Sequence, residues 1–146
     1  MKEIFIILFA VAATVFDIKT RRIPNWLVLG MFGVWLLLLI HEFSTSPCNA
    51  PAELLDCALG FLVGGGIFML VYIISHKGLG GGDVKFMAAA GLYLGLSSTI
   101  PAILYGTILA ALTGLVLILL KKITKKDKLP LAPFLLVGIT IAVLAG

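Results

Sequence analysis

Long apolar runs separated by short polar breaks fill most of the chain. Six runs can be traced, at roughly residues 3–18, 26–43, 54–75, 84–97, 99–120 and 130–146. A transmembrane helix needs about 20 apolar residues, within a range of about 17–25. The pattern predicts an all-α polytopic membrane protein with about six transmembrane helices. The first, fourth and last runs are short, which requires local thinning of the bilayer or shielding by neighbouring helices.

The break between the fourth and fifth runs is the weakest, because residues 86–120 contain no charged side chain. A single helix of this length would extend about 52 Å, well beyond a bilayer core of about 30 Å. The cluster Ser97-Ser98-Thr99 is followed by Pro101, and proline is favoured in the first turn of a helix but not in its interior. We predict a helical hairpin that turns at this cluster.

Composition agrees with the pattern. Of the 146 residues, 61% are hydrophobic and 12% are charged, whereas a soluble domain carries about 25% charged residues. No long polar stretch could fold as a separate soluble module. We therefore predict a single membrane-embedded domain over residues 1–146.

The basic residues are distributed unevenly between the two sides of this predicted bundle. With the N-terminus outside, all 11 Lys and Arg residues except Lys2 fall in the cytoplasmic loops, where membrane proteins are enriched in such residues. This asymmetry predicts six spans with both termini outside. It also attributes the formal net charge of +4 to topology in the bilayer rather than to nucleic-acid binding.

The chain offers little for a metal site. A structural zinc site normally uses four ligands, often from Cys-x-x-Cys pairs, and neither Cys48 nor Cys57 belongs to such a pair. We predict no metal and no cofactor. A Cys48–Cys57 disulfide and two unpaired cysteines near a helix start are the two alternatives for this loop.

Two aspartates lie at the ends of apolar runs. Asp17 ends the first run and Asp83 opens the fourth, so the topology places both at the cytoplasmic edge of the membrane. Each could serve only to cap or flank its helix, but ionisable groups at membrane depth are costly and commonly functional. Peptide hydrolysis needs a base that activates water and an acid for the leaving group, and two neighbouring carboxylates can supply both. We predict that Asp17 and Asp83 are catalytic.

Three glycines, Gly80, Gly81 and Gly82, directly precede Asp83. They disfavour a helix and allow another backbone to approach closely, so a substrate peptide could pair with this segment in an extended form. We expect these glycines and the nearby Lys85 to bind substrate. The alternative is a flexible turn between two spans; a phosphate-binding loop is excluded because no Gly-Lys-Ser/Thr follows.

Three segments of the chain resemble one protein family. They are Asp17 followed by Arg21-Arg22-Ile23-Pro24-Asn25, then Gly80-Gly81-Gly82-Asp83-Val84-Lys85-Phe86-Met87-Ala88-Ala89, and finally Leu129-Pro130-Leu131-Ala132-Pro133-Phe134. The second contains the G-x-G-D motif of membrane aspartyl proteases. Together the segments resemble the type IV prepilin peptidases, in a short form without the N-terminal methyltransferase domain.

The resemblance implies an aspartic endopeptidase of the inner or plasma membrane that cleaves the leader peptide of pilin-like or preflagellin-like precursors at the cytoplasmic face. It implies Asp17 and Asp83 as the catalytic pair. The expected partners are the precursor and the lipid bilayer. The chain begins directly at the first predicted span, so we expect peptidase activity without methylation.

Helix dipoles suggest different roles for the two aspartates. Asp17 is predicted at a helix C-terminus and Asp83 at a helix N-terminus, where an anion is favoured by typically about 0.3–1 kcal/mol. On this hypothesis Asp83 holds the charge and activates water, and Asp17 donates a proton.

Two other classes compete with the peptidase. One is an ion- or proton-coupled transporter subunit, and the other is a non-enzymatic scaffold of a pilus or secretion machine. A transport site is expected nearer the bilayer midplane. Asp17 and Asp83 at one edge, with a glycine-rich segment before Asp83, favour the peptidase.

Overall fold

The computed structural model describes residues 2–45, 50–75, 79–121 and 130–145. Within these ranges the chain forms α-helices and no β-strand, which confirms the predicted all-α class. The helices are α1 (Lys2–Thr20), α2 (Asn25–Thr45), α3 (Ala50–Ile74), α4 (Gly81–Leu119) and α5 (Ala132–Ala145). Three of these, α2, α3 and α4, are long and apolar enough to cross a membrane, and α5 is a shorter apolar helix.

The 39 residues of α4 do not form one straight helix, because Gly95 has φ 67° and ψ −178°. Before this residue, α4 runs antiparallel to α3, so that Gly91 faces Gly60 and Met87 faces Gly64. After it, the chain doubles back, and Thr99 also lies against Gly64. The two segments, 81–94 and 96–119, therefore form the predicted hairpin and bring the described helical segments to six.

The predicted position of that turn was wrong. The chain turns at Gly95 rather than at Ser97-Ser98-Thr99, and Pro101 lies inside the second segment. A positive φ is easily adopted only by glycine. The first N–H of the second segment, from Leu96, donates to Asp56 Oδ1 at 3.1 Å. A carboxylate on α3 thus caps the segment, a contact between positions 40 residues apart that local sequence does not reveal.

The first segment of α4 is the centre of the bundle, and residues 86–95 are all buried. Glycines on α3 allow the two backbones to approach closely: a Cβ atom on Gly64 would lie 2.7 Å from Met87 O, and one on Gly60 would overlap Gly91 O. Glycines spaced four residues apart on a membrane helix commonly allow such close packing. Large apolar side chains such as Leu29, Ile74 and Leu144 remain exposed on the outside, as a lipid-facing surface requires.

A polar cluster joins three helices at the end of α1 opposite Asp17. Lys2 Nζ lies 2.9 Å from Glu42 Oε2 on α2 and 2.6 Å from Glu53 Oε1 on α3. The alternative of a Cys48–Cys57 disulfide cannot be examined, because Cys48 lies outside the described residues. Cys57 is buried and carries a free thiol.

Candidate active site

Asp17 lies near the end of α1, as predicted, and its side chain is 6% exposed. Its Oδ2 accepts a hydrogen bond of 3.1 Å from the backbone N–H of Ala132, the first residue of α5. The first N–H groups of a helix have no partner within that helix and commonly bind carboxylates. Asp17 therefore lies at the end of one helix and at the beginning of another. Because Asp17 also faces the N-terminus of α5, both aspartates lie at a helix N-terminus. The helix dipoles therefore no longer distinguish Asp17 from Asp83.

Asp83 lies in the first turn of α4 and is 8% exposed. Its backbone N–H donates to Gly80 O at 3.1 Å. Its Oδ1 is buried and has no hydrogen-bond partner among the described residues. A buried polar atom left in this state costs roughly 1–3 kcal/mol unless a water molecule or a ligand satisfies it. This oxygen is available to a water molecule or a substrate.

Both aspartates line one cavity of about 350 Å³. They are the only buried charged side chains in the part of the chain that the structure describes. The structure therefore brings together two residues that are 66 positions apart. The other lining residues come from the α1–α2 connection, the end of α3 and the start of α4; they are Arg21, Arg22, Ile23, Asn25, Tyr72, Leu79, Gly80, Gly81 and Gly82.

The three glycines before Asp83 are less open than expected. Only Gly80 is extended, with φ −72° and ψ 133°, and α4 already begins at Gly81. All three line the cavity. Gly82 packs against Ile23, so closely that an added Cβ atom would lie 3.2 Å from its backbone N and O. The glycines thus allow the α1–α2 connection to lie directly against the start of α4.

Lys85 is exposed and is not among the residues that line the cavity. Its Nζ donates to Asn25 Oδ1 at 3.1 Å. Because Asn25 does line the cavity, this hydrogen bond ties the start of α2 to α4 beside the site. Binding of substrate by Lys85 remains a prediction.

Arg21 adopts a left-handed conformation, with φ 51°, directly after α1. Its N–H donates to Asp17 O at 2.8 Å, which ends the helix. Among the described residues, the guanidinium groups of Arg21 and Arg22 have no ion-pair partner, and both side chains line the cavity. Two exposed arginines therefore line the same cavity as the buried carboxyls of Asp17 and Asp83.

Sequence reasoning missed several contributors to the site, among them Tyr72, Leu79 and Ala132. Tyr72 and Leu79 carry no chemical signature that separates them from other membrane-helix residues. Ala132 belongs to a segment already noted for its prolines, but it acts through its main-chain N–H. Pro130 and Pro133, which flank Leu131 and Ala132, were the only sequence signal that pointed to this position. No group of three or more His, Cys, Asp or Glu side chains able to hold a metal ion occurs among the described residues.

Comparison with known proteins identifies the family. The profile of the type IV leader peptidase family matches residues 4–119, most of the chain and both aspartates. The chain belongs to the type IV leader peptidase family.

Curated members of this leader peptidase family are similar over nearly the whole chain. A prepilin leader peptidase/N-methyltransferase of Bacillus subtilis is 33% identical over 144 residues, which are 98% of this chain and 54% of that protein. The proteins of the same description from Xanthomonas campestris and Pseudomonas aeruginosa are 28% and 27% identical, over 89% and 92% of this chain and 45% and 46% of theirs. The chain thus spans about half the length of these relatives. No solved structure matches it significantly.

The steric surroundings of the three glycines explain the G-x-G-D pattern in this chain. A Cβ atom on Gly80 would lie 2.7 Å from Asp83 Oδ2, and one on Gly82 would press on Ile23. A Cβ atom on Gly81 would meet nothing within 4 Å. The two glycines of the motif are therefore those that have no room for a side chain, and the variable position is the one that has room.

Proposed function

We propose that this protein is a membrane aspartyl endopeptidase that cleaves the leader peptide of pilin-like precursors at the cytoplasmic face of the plasma membrane. The observation that carries the proposal is the convergence on one cavity of Asp17 and Asp83, the two charged residues that are buried among those the structure describes. The names of the curated relatives support a prepilin as substrate. Both aspartates lie at helix ends rather than at mid-span, which weighs against a transport site.

The two carboxyls can perform the reaction without a covalent intermediate. A water molecule held between them loses a proton to the ionised carboxylate and attacks the scissile carbonyl carbon. The protonated carboxyl donates to the carbonyl oxygen and, as the C–N bond breaks, a proton passes to the leaving nitrogen. Two carboxylates that share one proton have the required states at the outset.

Their hydrogen bonds suggest which carboxyl does which task. Ala132 holds Asp17 Oδ2 in place, whereas Asp83 Oδ1 is free of partners among the described residues. Asp83 Oδ1 is therefore the oxygen that is open to a water molecule. That Asp83 takes the proton from this water and Asp17 gives one to the substrate remains the hypothesis made from the sequence. Gly80, Gly81, Gly82 and Lys85 would bind the extended substrate beside this pair. The assignment rests on geometry.

Processing of a prepilin tests the proposal. In cells that co-express a prepilin, the wild-type chain is expected to convert the precursor to the shorter form, seen as a gel shift. Asp17→Asn and Asp83→Asn keep side-chain size and are each expected to abolish processing. Glu3→Gln, at an exposed carboxylate of α1, is the matched control and should process normally.

The same experiment distinguishes the competing functions. Processing that survives Asp83→Asn in a protein of normal abundance and thermal stability would contradict the peptidase mechanism. If residual activity is measurable, the pH profiles of Asp17→Asn and Asp83→Asn should differ. Identical profiles would refute the division of roles but not the catalytic pair.

A further inference from the structure

A second cavity, of about 170 Å³, lies between α3 and the second segment of α4. Phe68 and Ile103, 2% and 6% exposed, are the most deeply buried of its residues. Thr107 is its one polar side chain, and its hydroxyl donates to Ile103 O at 2.7 Å. No charged side chain of the described residues lines it. Apolar cavities of about 150 Å³ stay dry and accept a group as large as benzene.

This apolar cavity adjoins the catalytic cavity. Leu79 lines both, so the two cavities share a wall residue. Leu79 directly precedes Gly80-Gly81-Gly82-Asp83, which carries one aspartate. Leu131, on the wall of the apolar cavity, directly precedes Ala132, whose N–H holds the other aspartate. The walls of the apolar cavity are thus continuous with the two backbone segments that position the catalytic pair.

We infer that the apolar cavity is a specificity pocket that takes a large apolar side chain of the precursor next to the scissile bond. The inference rests on the proposed function. A peptide bond held at Asp17 and Asp83 lies in the cavity that shares Leu79 with this pocket. The rim residues Ile67 and Val71 are 38% and 46% exposed, so the pocket opens towards the outer surface of the bundle. A segment of substrate within the membrane can therefore reach it from the side.

Two adjacent alanines provide a matched test. Ala110 lines the pocket, whereas Ala111 follows it on the same helix, is exposed and does not line it. Purified variants would be assayed on precursors that carry either Phe or Ala at each residue flanking the scissile bond. Ala110→Phe fills the pocket and should lower kcat/KM about tenfold for the Phe precursor relative to the Ala precursor. Ala111→Phe should leave this ratio unchanged.

An enlarging variant tests the same pocket in the opposite direction. Val71→Ala, at the rim, should improve cleavage of a Trp precursor relative to a Phe precursor. If Ala110→Phe affects both precursors equally, or neither, there is no specificity pocket at this position. Rates that fall together and depend on acyl-chain length in reconstituted vesicles would show that a lipid chain fills it, which also overturns the inference.

A capture experiment separates this inference from the proposed function. A photo-crosslinking residue in place of Ala110, in an Asp83→Asn background, should capture the uncleaved precursor, and one in place of Ala111 should not. Absence of capture from position 110 overturns the pocket even where the wild-type chain cleaves its precursor. If position 110 captures the precursor but the wild-type chain never cleaves it, the pocket is supported and the peptidase function is refuted.

Discussion

At the scale of single residues, the three adjacent glycines before Asp83 make the sharpest comparison. Gly80→Ala is expected to displace the Asp83 carboxyl, because the added Cβ atom would lie 2.7 Å from Oδ2. A displacement of about 1 Å at a catalytic group can cost about 100-fold in rate. Because a carboxyl at the end of a side chain moves easily, thermal stability should change little while processing falls.

Gly81→Ala and Gly82→Ala complete this comparison. A Cβ atom on Gly81 meets nothing within 4 Å, so Gly81→Ala should retain activity and stability. Gly82→Ala presses on Ile23 and its backbone, and should lower both. Prepilin processing and detergent melting curves measure the three variants. Equal effects of all three would contradict a steric origin.

Arg21 offers a prediction about backbone strain. Left-handed conformations cost a residue with a side chain roughly 1–2 kcal/mol, and Arg21 has φ 51°. Arg21→Gly should therefore raise thermal stability, whereas Arg21→Ala, which keeps the strain, should not. If both variants gained thermal stability, removal of the positive charge rather than relief of the backbone strain would explain the gain. Retention of an arginine here despite the strain agrees with a use for its side chain at the cavity.

Sequence reasoning identified the residues whose charged side chains are rare in this apolar chain. It missed the residues that act through a backbone group or through steric packing. Asp17 and Asp83 could be found because charge is costly in an apolar chain. The hydrogen bond from Ala132 to Asp17 could not be found, because every residue except proline carries a backbone N–H and the two positions are 115 apart. The steric difference between Gly81 and its neighbours likewise depends on what packs against them.

At the scale of helices, the turn inside α4 depends on Gly95 and Asp56. Gly95→Ala should destabilise the protein by at least about 1–2 kcal/mol, since φ is 67° and the added Cβ atom would overlap the Asp56 carboxylate. Asp56→Ala should cost about 1 kcal/mol, the usual value of a lost helix cap. Gly66→Ala on α3, where an added Cβ atom meets nothing within 4 Å, is the control.

Unfolding in detergent measures these changes. A Gly95→Ala protein as stable as Gly66→Ala would contradict the turn. The hairpin itself could be predicted, because a single apolar helix of that length does not fit a bilayer. Its position could not, because serine, threonine and proline are tolerated in an early helical turn, and the cap on Leu96 comes from another helix.

At the scale of the whole molecule, the orientation in the membrane remains a prediction that labelling can test. In a chain with Cys48 and Cys57 replaced by serine, Ser75→Cys and Lys121→Cys should react with an impermeant maleimide only when the cytoplasmic side is accessible. Thr45→Cys should react from outside. All three positions are exposed. The opposite result would place the cavity of Asp17 and Asp83 at the outer face and refute cleavage at the cytoplasmic face.

The hydrogen bond between α5 and Asp17 has a consequence for how this protein can vary. Its donor is a main-chain group, so different side chains at position 132 leave the contact intact, provided that they fit. Proline alone removes the donor at this position, although it suits the first turn of a helix. A catalogue of related sequences should therefore show position 132 as changeable yet free of proline. A method that ranks importance by residue identity would overlook a contact that holds the Asp17 carboxylate.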